Sequence, residues 1–379
     1  MLKNVISFQF QTNAAVEDII DIQNPQEIEL ATTTVEQVRE NISYPTFVHY
    51  FVTFVCQFYS DNCPTYHKFN IQFYSQQPVL MIEMDDWSPL QRTNITQKFD
   101  LIDDIIEKFN KEKKEAAYEM FKSGIFGYVV HKKYKDTPCK IIHHLILRLS
   151  STSTKRELRF LLNGKEVKFG LPEFAMITGL NCEPIPNIDL KALTKNYSLK
   201  DRFFEKMKNI RGDILKSVWT NLKIATDEEW VQLANLCLLE LFFLAKTENL
   251  CITADHVLIA SNLEVFNNYP WGRVIFEQTA ESVILANKNA ANKPTGYVVN
   301  GCAYALLAFA FEIIPKLTEK QYALRADHQL PQRLVNWVYQ GNPRFKSLDS
   351  DVFADKQVIH SIPTPTYVYV DKNFTQIVT

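Results

Sequence analysis

Two cysteine–histidine pairs are the first residues whose types could support catalysis. Cys251 precedes His256 by five positions, and Cys139 precedes His143 by four, with His144 next to it. Cysteine hydrolases require a thiolate beside an imidazole that a third group orients. Most of the seven cysteines, however, lie in apolar runs, where a free thiol behaves as a small hydrophobic residue. We therefore predict buried thiols and no catalytic residue.

Cysteine and histidine are also the ligands that zinc prefers, in a closed set of four. A helix through Cys139 and His143 would present both on one face, but two ligands do not complete a zinc site. A second set offers four ligands within 19 residues: His49, Cys56, Cys63 and His67. Its C-x6-C spacing, however, is not that of a zinc finger. The ten glycines form no phosphate-binding loop motif. We predict no metal site and no cofactor.

The basic segment at residues 195–223 is the best nucleic-acid candidate. It has eight lysines and arginines against three acids, and Phe203 and Trp219 lie among the charges. A few phosphate contacts would give weak binding that falls with salt. Because the whole chain has a net charge of −2, we favour a solvated amphipathic helix around Phe203, Met207 and Ile210. The residues that would contact phosphate are Lys206, Lys208 and Arg211.

The run Tyr269-Pro270-Trp271-Gly272 is a turn motif, because proline fixes one backbone angle and glycine permits an unusual one. The favoured interpretation is structural, with both aromatic rings packed on the core. The alternative is an exposed aromatic anchor for a partner. In that case the interaction surface would comprise Tyr269, Trp271 and Arg273.

Length and composition describe an ordinary globular chain. Its 379 residues suggest two or three domains, and 46% of them are hydrophobic. An odd number of cysteines and an N-terminus without a sustained apolar stretch predict a reducing compartment. The uncharged runs at 41–60 and 294–311 are interrupted or too short to span a bilayer, so we predict buried elements and no membrane partner.

One β-hairpin is the sharpest secondary-structure signal. Asn163-Gly164 is a preferred two-residue turn because both positions tolerate positive φ, and apolar residues alternate on either side. The predicted pairs are Phe160 with Val167 and Leu158 with Phe169 on one face, and Arg159 with Lys168, a mildly unfavourable pair, on the solvent face.

Helical periodicity dominates after about residue 86. Acids precede lysines in the segment that begins near Phe99, as the helix dipole favours, and Gly124 can end it. Thr226 and Glu229 form a capping box that opens an apolar, central helix over 227–245. Further predicted helices span 141–149, 172–179, 273–287, 303–314 and 333–340, and 367–370 is a candidate strand.

These signals predict a mainly α fold, a multi-helix globular domain with one β-hairpin at about 157–170. We place it at 86–370, with a tail at 371–379. The N-terminal region, 1–85, is smaller and β-leaning or mixed, with an acidic arm followed by an aromatic-rich segment.

Three blocks of sequence occur in order along the helical part. They are Arg159 to Cys182, with Glu173-Phe174 leading into Thr178-Gly179-Leu180; Phe266 to Phe276, with Tyr269-Pro270-Trp271-Gly272-Arg273; and Tyr304 to Pro315. Together they resemble the plant family known as domain of unknown function 1985, over about residues 88–365.

The resemblance implies a non-catalytic, helical module of plant mobile-element origin, in the nucleus or, alternatively, the cytoplasm. In that family the domain commonly precedes a SUMO-protease-like cysteine peptidase, whose expected His-Trp pair and Asp-Cys-Gly motif are absent from this sequence. We expect the module to dock an unknown protein partner, or DNA, on a helical surface, with no small-molecule substrate. The alternatives are a remnant or regulatory part of such a peptidase and a weak, salt-sensitive DNA-binding module at 195–223.

Overall fold

The structure is a computed structural model that describes four short segments near the N-terminus and most of the chain beyond residue 91. The described residues are 6–9, 19–22, 69–70, 83–84 and 92–360, except 133–138, 206, 293–295, 327–329, 341–342 and 355–358. Lys206, the cysteine and histidine set at 49–67 and the candidate strand at 367–370 therefore lie outside the described residues. The chain divides into two compact units, Met1–Ser88 and Pro89–Thr379.

The described part of the first unit consists of two antiparallel strand pairs. Strand β1 (Ile6–Gln9) pairs with β2 (Ile19–Ile22), and β3 (Phe69–Asn70) pairs with β4 (Glu83–Met84). The β3–β4 pair lies in the aromatic-rich stretch expected to be β-leaning, whereas β1 and β2 lie in the acidic arm, for which no strand was predicted.

Helices dominate the second unit, which confirms the mainly α fold. A π-helix (Leu238–Phe243) directly follows the α-helix that ends at Cys237, and 3-10 turns lie at Gly127–His131 and Arg333–Val335. The α-helices of the described residues are α1 (Asp100–Lys111), α2 (Glu115–Ser123), α3 (Cys139–Leu147), α4 (Leu171–Thr178), α5 (Leu190–Leu193), α6 (Leu199–Phe204), α7 (Gly212–Asn221), α8 (Asp227–Cys237), α9 (Ala254–Ala260), α10 (Leu263–Asn268), α11 (Trp271–Asn292), α12 (Ala303–Ile313), α13 (Pro315–Glu319) and α14 (Phe345–Asp351).

Three small two-stranded sheets accompany these helices in the described residues. Strands β6 (Glu157–Leu162) and β7 (Lys165–Gly170) form the hairpin, and β9 (Ala323–Arg325) pairs with β10 (Trp337–Tyr339). The third sheet joins β5 (Arg92–Ile95) to β8 (Gly296–Val299) in parallel, across some two hundred residues of chain. Within the described residues, no helix has both the length and the apolar character needed to cross a bilayer.

The β6–β7 hairpin has the predicted turn and register. Asn163 and Gly164 have φ of 58° and 69°, as a two-residue turn of this type requires. The expected repulsion between Arg159 and Lys168 is offset, because the Glu157 carboxylate lies 2.7 Å from Arg159 and 3.9 Å from Lys168. The three apolar side chains predicted to share a face with Val167 are fully buried: Leu158, Phe160 and Phe169.

The capping box also forms as predicted and opens the central helix. The Thr226 hydroxyl accepts the Glu229 N–H at 3.2 Å, and the Glu229 carboxylate accepts the Thr226 N–H at 2.8 Å. Helix α8 and the π-helix bury every residue from Glu229 to Phe243. The structure adds a feature that periodicity did not predict, the change from α to π geometry at Leu238.

The helix predicted at 333–340 is wrong. Residues 333–340 form a single 3-10 turn followed by β10, which pairs with β9. The Trp337 ring N–H donates to Glu312 at 2.9 Å, and Arg325 and Arg333 contact the other oxygen of the same carboxylate. These tertiary contacts stabilise a strand here, although the local sequence pattern by itself favoured a helix.

The three sequence blocks meet in the core. The Phe169 ring of the first block lies 5.8 Å from Phe276 of the second and 4.6 Å from Phe309 of the third. The Gly272 N–H donates to Asn181 at 2.8 Å, and a Cβ at position 272 would lie only 2.6 Å from the Cys182 sulfur. Glycine is therefore required where α11 begins against the first block.

Candidate functional site

A polar cleft of 260 Å³ lies beside helix α11. Four lining residues, Val274, Glu277, Gln278 and Glu281, recur at the spacing of one helical face. The rest of the lining comes from the stretch before β6, the loop after α4, the segment between the π-helix and α9, and the first turn of α9. Those residues are Lys155, Ile185, Leu244, Lys246, Thr253 and His256.

A buried carboxylate, Glu240 of the π-helix, orders three of the lining residues. One of its oxygens lies 2.6 Å from His256 Nδ1, and the other lies 2.8 Å from Lys246 Nζ. The Thr253 N–H donates to the carboxylate at 3.3 Å, and Lys246 also donates to the Thr253 hydroxyl at 2.8 Å. Burial raises the pKa of Glu240, but the hydrogen bond and charge of His256 and the charge of Lys246 outweigh it and hold the pKa below its usual value. Glu240 is therefore a carboxylate.

This contact places a proton on His256 Nδ1. An ionised carboxylate only accepts hydrogen bonds, so the imidazole N–H is the donor to Glu240. The residue is 8% exposed and lines the cleft, and within the described part of the chain Nε2 has no hydrogen-bond partner. The ring also packs edge-on against Trp271, with centroids 5.0 Å apart.

The cysteines flagged from the sequence do not form a nucleophilic pair. Cys251 is exposed, and the imidazole of His256 is bound to Glu240 instead. Burial raises the pKa of Cys182 to about 12 and that of Cys302 to about 11, and it raises the pKa of Cys237 well above its usual value. These thiols are protonated and unreactive.

The second pair, Cys139 and His143, lies on α3 as predicted, but its surroundings keep the imidazole neutral. His143 Nδ1 is in hydrogen-bonding contact with the Tyr297 hydroxyl and lies 3.2 Å from the Thr93 hydroxyl. Burial, with a smaller effect of the Arg148 charge, lowers the pKa of His143 to about 3. Among the described residues, no three cysteine, histidine or acidic side chains are arranged to hold a metal.

His144 lies between two aromatic rings, Phe345 at 4.0 Å and Phe353 at 4.7 Å between centroids. Burial and the charge of Arg148 lower its pKa to about 2. The side chain is thus a neutral part of the core.

The basic segment at 195–223 is broken into short pieces, and three of its eight basic side chains are paired with acids. The predicted helix around Phe203, Met207 and Ile210 is wrong, because α6 ends at Phe204. The backbone of Arg211 instead forms an isolated antiparallel β-bridge with Cys251. Lys208 is exposed, and Lys206 is outside the described residues. The ion pairs of the segment are Arg202 with Glu229, Arg211 with Asp213, and Lys216 with Glu248.

The aromatic rings of the turn at 269–273 pack on the core. Trp271 is fully buried, and its ring N–H donates to the Phe266 carbonyl at 2.8 Å. Tyr269 is half-buried against it, with centroids 4.4 Å apart. Arg273 donates to the Glu183 carbonyl at 2.8 Å. Trp271 is therefore not available as an exposed anchor.

Sequence reasoning missed the residues around the cleft. Glu240 stands alone in the apolar run from Leu236 to Leu244, and a lone acid in such a run requires buried partners. That signal could have flagged Glu240. It could not have named Lys246 and His256, because only the fold brings them to the carboxylate.

All lining residues of the cleft lie between positions 155 and 281. Residues 146–282 match the family described as Domain of unknown function (DUF1985). This match confirms the resemblance over the first two sequence blocks, and it covers the hairpin, the π-helix and the whole lining of the cleft; the third block, Tyr304 to Pro315, lies outside the matched residues. No curated protein and no solved structure matches the chain.

Proposed function

We propose that the second unit is a non-catalytic module that binds a partner protein at the cleft beside α11. The observation that carries this proposal is the state of the cleft's ionisable groups. The Glu240 oxygens lie 2.8 Å from Lys246 Nζ and 2.6 Å from His256 Nδ1, and the lining residues include no cysteine. The α11 side chains Glu277, Gln278 and Glu281 line the same cleft and supply polar groups that suit recognition of a partner.

DNA binding through residues 195–223 is the less favoured function. Three of the segment's basic side chains are already paired with acids of the same unit. Fewer free cations leave fewer phosphates to be neutralised, and this weakens nucleic-acid binding. The chain as a whole has a net charge of −2, which favours a protein partner.

The family resemblance also suggests the source of the module and its location in the cell. We infer a plant protein of mobile-element origin that acts in the nucleus, with the cytoplasm as the alternative location. A relationship to SUMO-protease-like peptidases belongs to the same inference, and the described residues supply no thiolate–imidazole pair for such activity.

Selection of short peptides from a random display library against the full chain, followed by affinity measurement, tests the binding function. We expect selected peptides whose affinity changes little as salt is raised. A mixed-sequence DNA duplex measured in parallel should bind weakly or not at all. Failure to select any peptide, together with DNA affinity that falls steeply with salt and is lost in Lys208→Gln, would overturn the proposal in favour of DNA binding.

A further inference from the structure

The turn that ends the central helix has a backbone conformation that is costly for the residue it holds. Ala245 is fully buried and has a φ of 45°, in the left-handed region. This conformation brings Cβ close to the following carbonyl oxygen, a cost that glycine avoids. Ala245 is therefore a strained residue inside the fold. The other non-glycine residues with positive φ in the described part of the chain lie at partly or fully exposed positions: Lys113, Asn163 and Gln321.

The helix changes its geometry just before this turn. The Leu244 N–H donates to the Leu239 carbonyl at 2.8 Å, and the Lys246 N–H donates to the Glu240 carbonyl at 3.0 Å. These bonds span five and six residues instead of the four of an α-helix. Wider turns of this kind are rare, and they occur frequently at functional sites. The π-helix and the strained residue together form one irregular segment, 238–246, which we call the π-turn segment.

Two contacts join the same pair of residues across this segment. Besides the backbone hydrogen bond, the Glu240 carboxylate lies 2.8 Å from the Lys246 ammonium group. The Glu240 side chain is fully buried and that of Lys246 is 18% exposed, so solvent ions screen the pair little. The Gly301 N–H also donates to the Leu244 carbonyl at 2.9 Å. Strained backbone persists where surrounding contacts hold it, and these contacts lie on both sides of Ala245.

The π-turn segment supplies part of the cleft. Leu244 and Lys246, on either side of the strained residue, both line it. The Glu240 carboxylate that pairs with Lys246 also lies 2.6 Å from Nδ1 of His256, a further lining residue. A change of backbone conformation at Ala245 would therefore move two lining residues and separate the carboxylate from the ammonium group.

We propose that the π-turn segment is a conformational switch that regulates binding at the cleft. In the closed state, which is that of the structure, the Glu240–Lys246 ion pair holds Ala245 in its left-handed conformation and keeps Leu244 and Lys246 in the lining. In the open state the ion pair breaks, Ala245 relaxes to a negative φ, and the cleft loses those two side chains. A partner that binds the closed cleft shifts the population toward that state. This inference rests on the proposed function and names the regulation of the same site.

Hydrogen exchange of single backbone amides in the full chain tests the switch. If the segment opens by itself, the N–H groups of Leu244 and Lys246 exchange faster than that of Trp230, which donates to Thr226 at the start of the same helix. Ala245→Gly removes the cost of the left-handed conformation from the closed state. It should therefore slow exchange at Leu244 and Lys246 about fivefold. Glu240→Gln, which removes the ion pair, should speed exchange at these two amides by more than at Trp230.

Gln321→Gly is the matched control for relief of backbone strain. Gln321 also has a positive φ, 57°, but it is exposed and follows α13, outside the π-turn segment. This variant should leave the exchange rates of Leu244 and Lys246 unchanged. A saturating amount of a selected peptide should instead slow exchange at both amides, because it binds the closed state.

Three results would each overturn the inference. They are exchange at Leu244 and Lys246 that is no faster than at Trp230, equal behaviour of Ala245→Gly and Gln321→Gly, and a bound peptide that leaves both rates unchanged. If selected peptides still bind in any of these cases, the binding function stands and only the switch is ruled out. If no peptide is selected, the proposed function fails, whereas the exchange rates still show whether the segment opens.

Discussion

Trp271 and His256 touch, but they belong to two regions that use polar atoms in opposite ways. In the junction between the first two family blocks, protein groups satisfy the donors: Trp271 donates to Phe266, and Gly272 donates to Asn181. In the cleft, the Glu281 carboxylate is exposed and has no ion pair among the described residues. The residues that carry the family resemblance in the sequence therefore hold the fold, and the cleft residues that we propose for binding belong to no short motif.

The largest effect should come from Trp271→Ala. Removing a fully buried indole and its hydrogen bond should lower the free energy of unfolding by about 4 kcal/mol. Urea denaturation measures this, with Leu285→Ala as a control, since Leu285 lies on the same helix and is 57% exposed. A Trp271→Ala protein of normal stability that no longer bound peptide would reverse our assignment of the two regions.

Glu240→Gln should be the next most damaging change, at about 3 kcal/mol. It keeps the shape of the side chain but leaves the charge of Lys246 without its carboxylate and removes the charged acceptor of His256. The same urea experiment applies, with Glu277→Gln as the control for loss of a carboxylate at the cleft. If the two variants were equally stable, Glu240 would not organise the site.

Acid should destabilise the fold through the two neutral histidines of α3. Their pKa values are about 3 and about 2 in the folded chain, against an ordinary 6.5, so the unfolded state takes up more protons below pH 6.5. Their stabilisation is therefore fully present above that pH and is lost progressively as the pH falls, by about 2 kcal/mol for each histidine at about pH 5.

His144→Phe isolates one of these contributions. The phenylalanine ring keeps the stacking on Phe345 and Phe353 but cannot titrate. The free energy of unfolding should therefore fall by about 2 kcal/mol less between pH 7 and pH 5 in this variant than in the unsubstituted chain. The charged neighbours Arg148 and Asp349 stay in place. Unfolding curves across this range that coincide for the two proteins would show that His144 is not buried in its neutral form.

The smallest effect on stability should come from Glu281→Gln, at less than about 0.5 kcal/mol. Glu281 is exposed and has no ion pair in the described part of the chain, so its removal costs no folded-state contact. A change that leaves the melting temperature alone but weakens binding of the selected peptides would separate the cleft from the junction most sharply. A clear loss of stability would instead assign Glu281 to the fold.

The elements predicted well from the sequence are those that nearby residues determine. The hairpin register follows from alternation and from the positive φ of Asn163 and Gly164. The capping box at Thr226 reaches only three residues along the chain. The helix predicted at 333–340 failed because Glu312 holds Trp337 from a distant helix, and no local pattern carries that information.

The sequence by itself determined the class of the fold, the hairpin, the start of the central helix and the resemblance to DUF1985, because each depends on short-range spacing or on contiguous blocks. Only the tertiary structure decided which groups are open for binding. Glu240, His256 and Glu281 come from separate helices, and whether each is paired, buried or exposed depends on long-range packing.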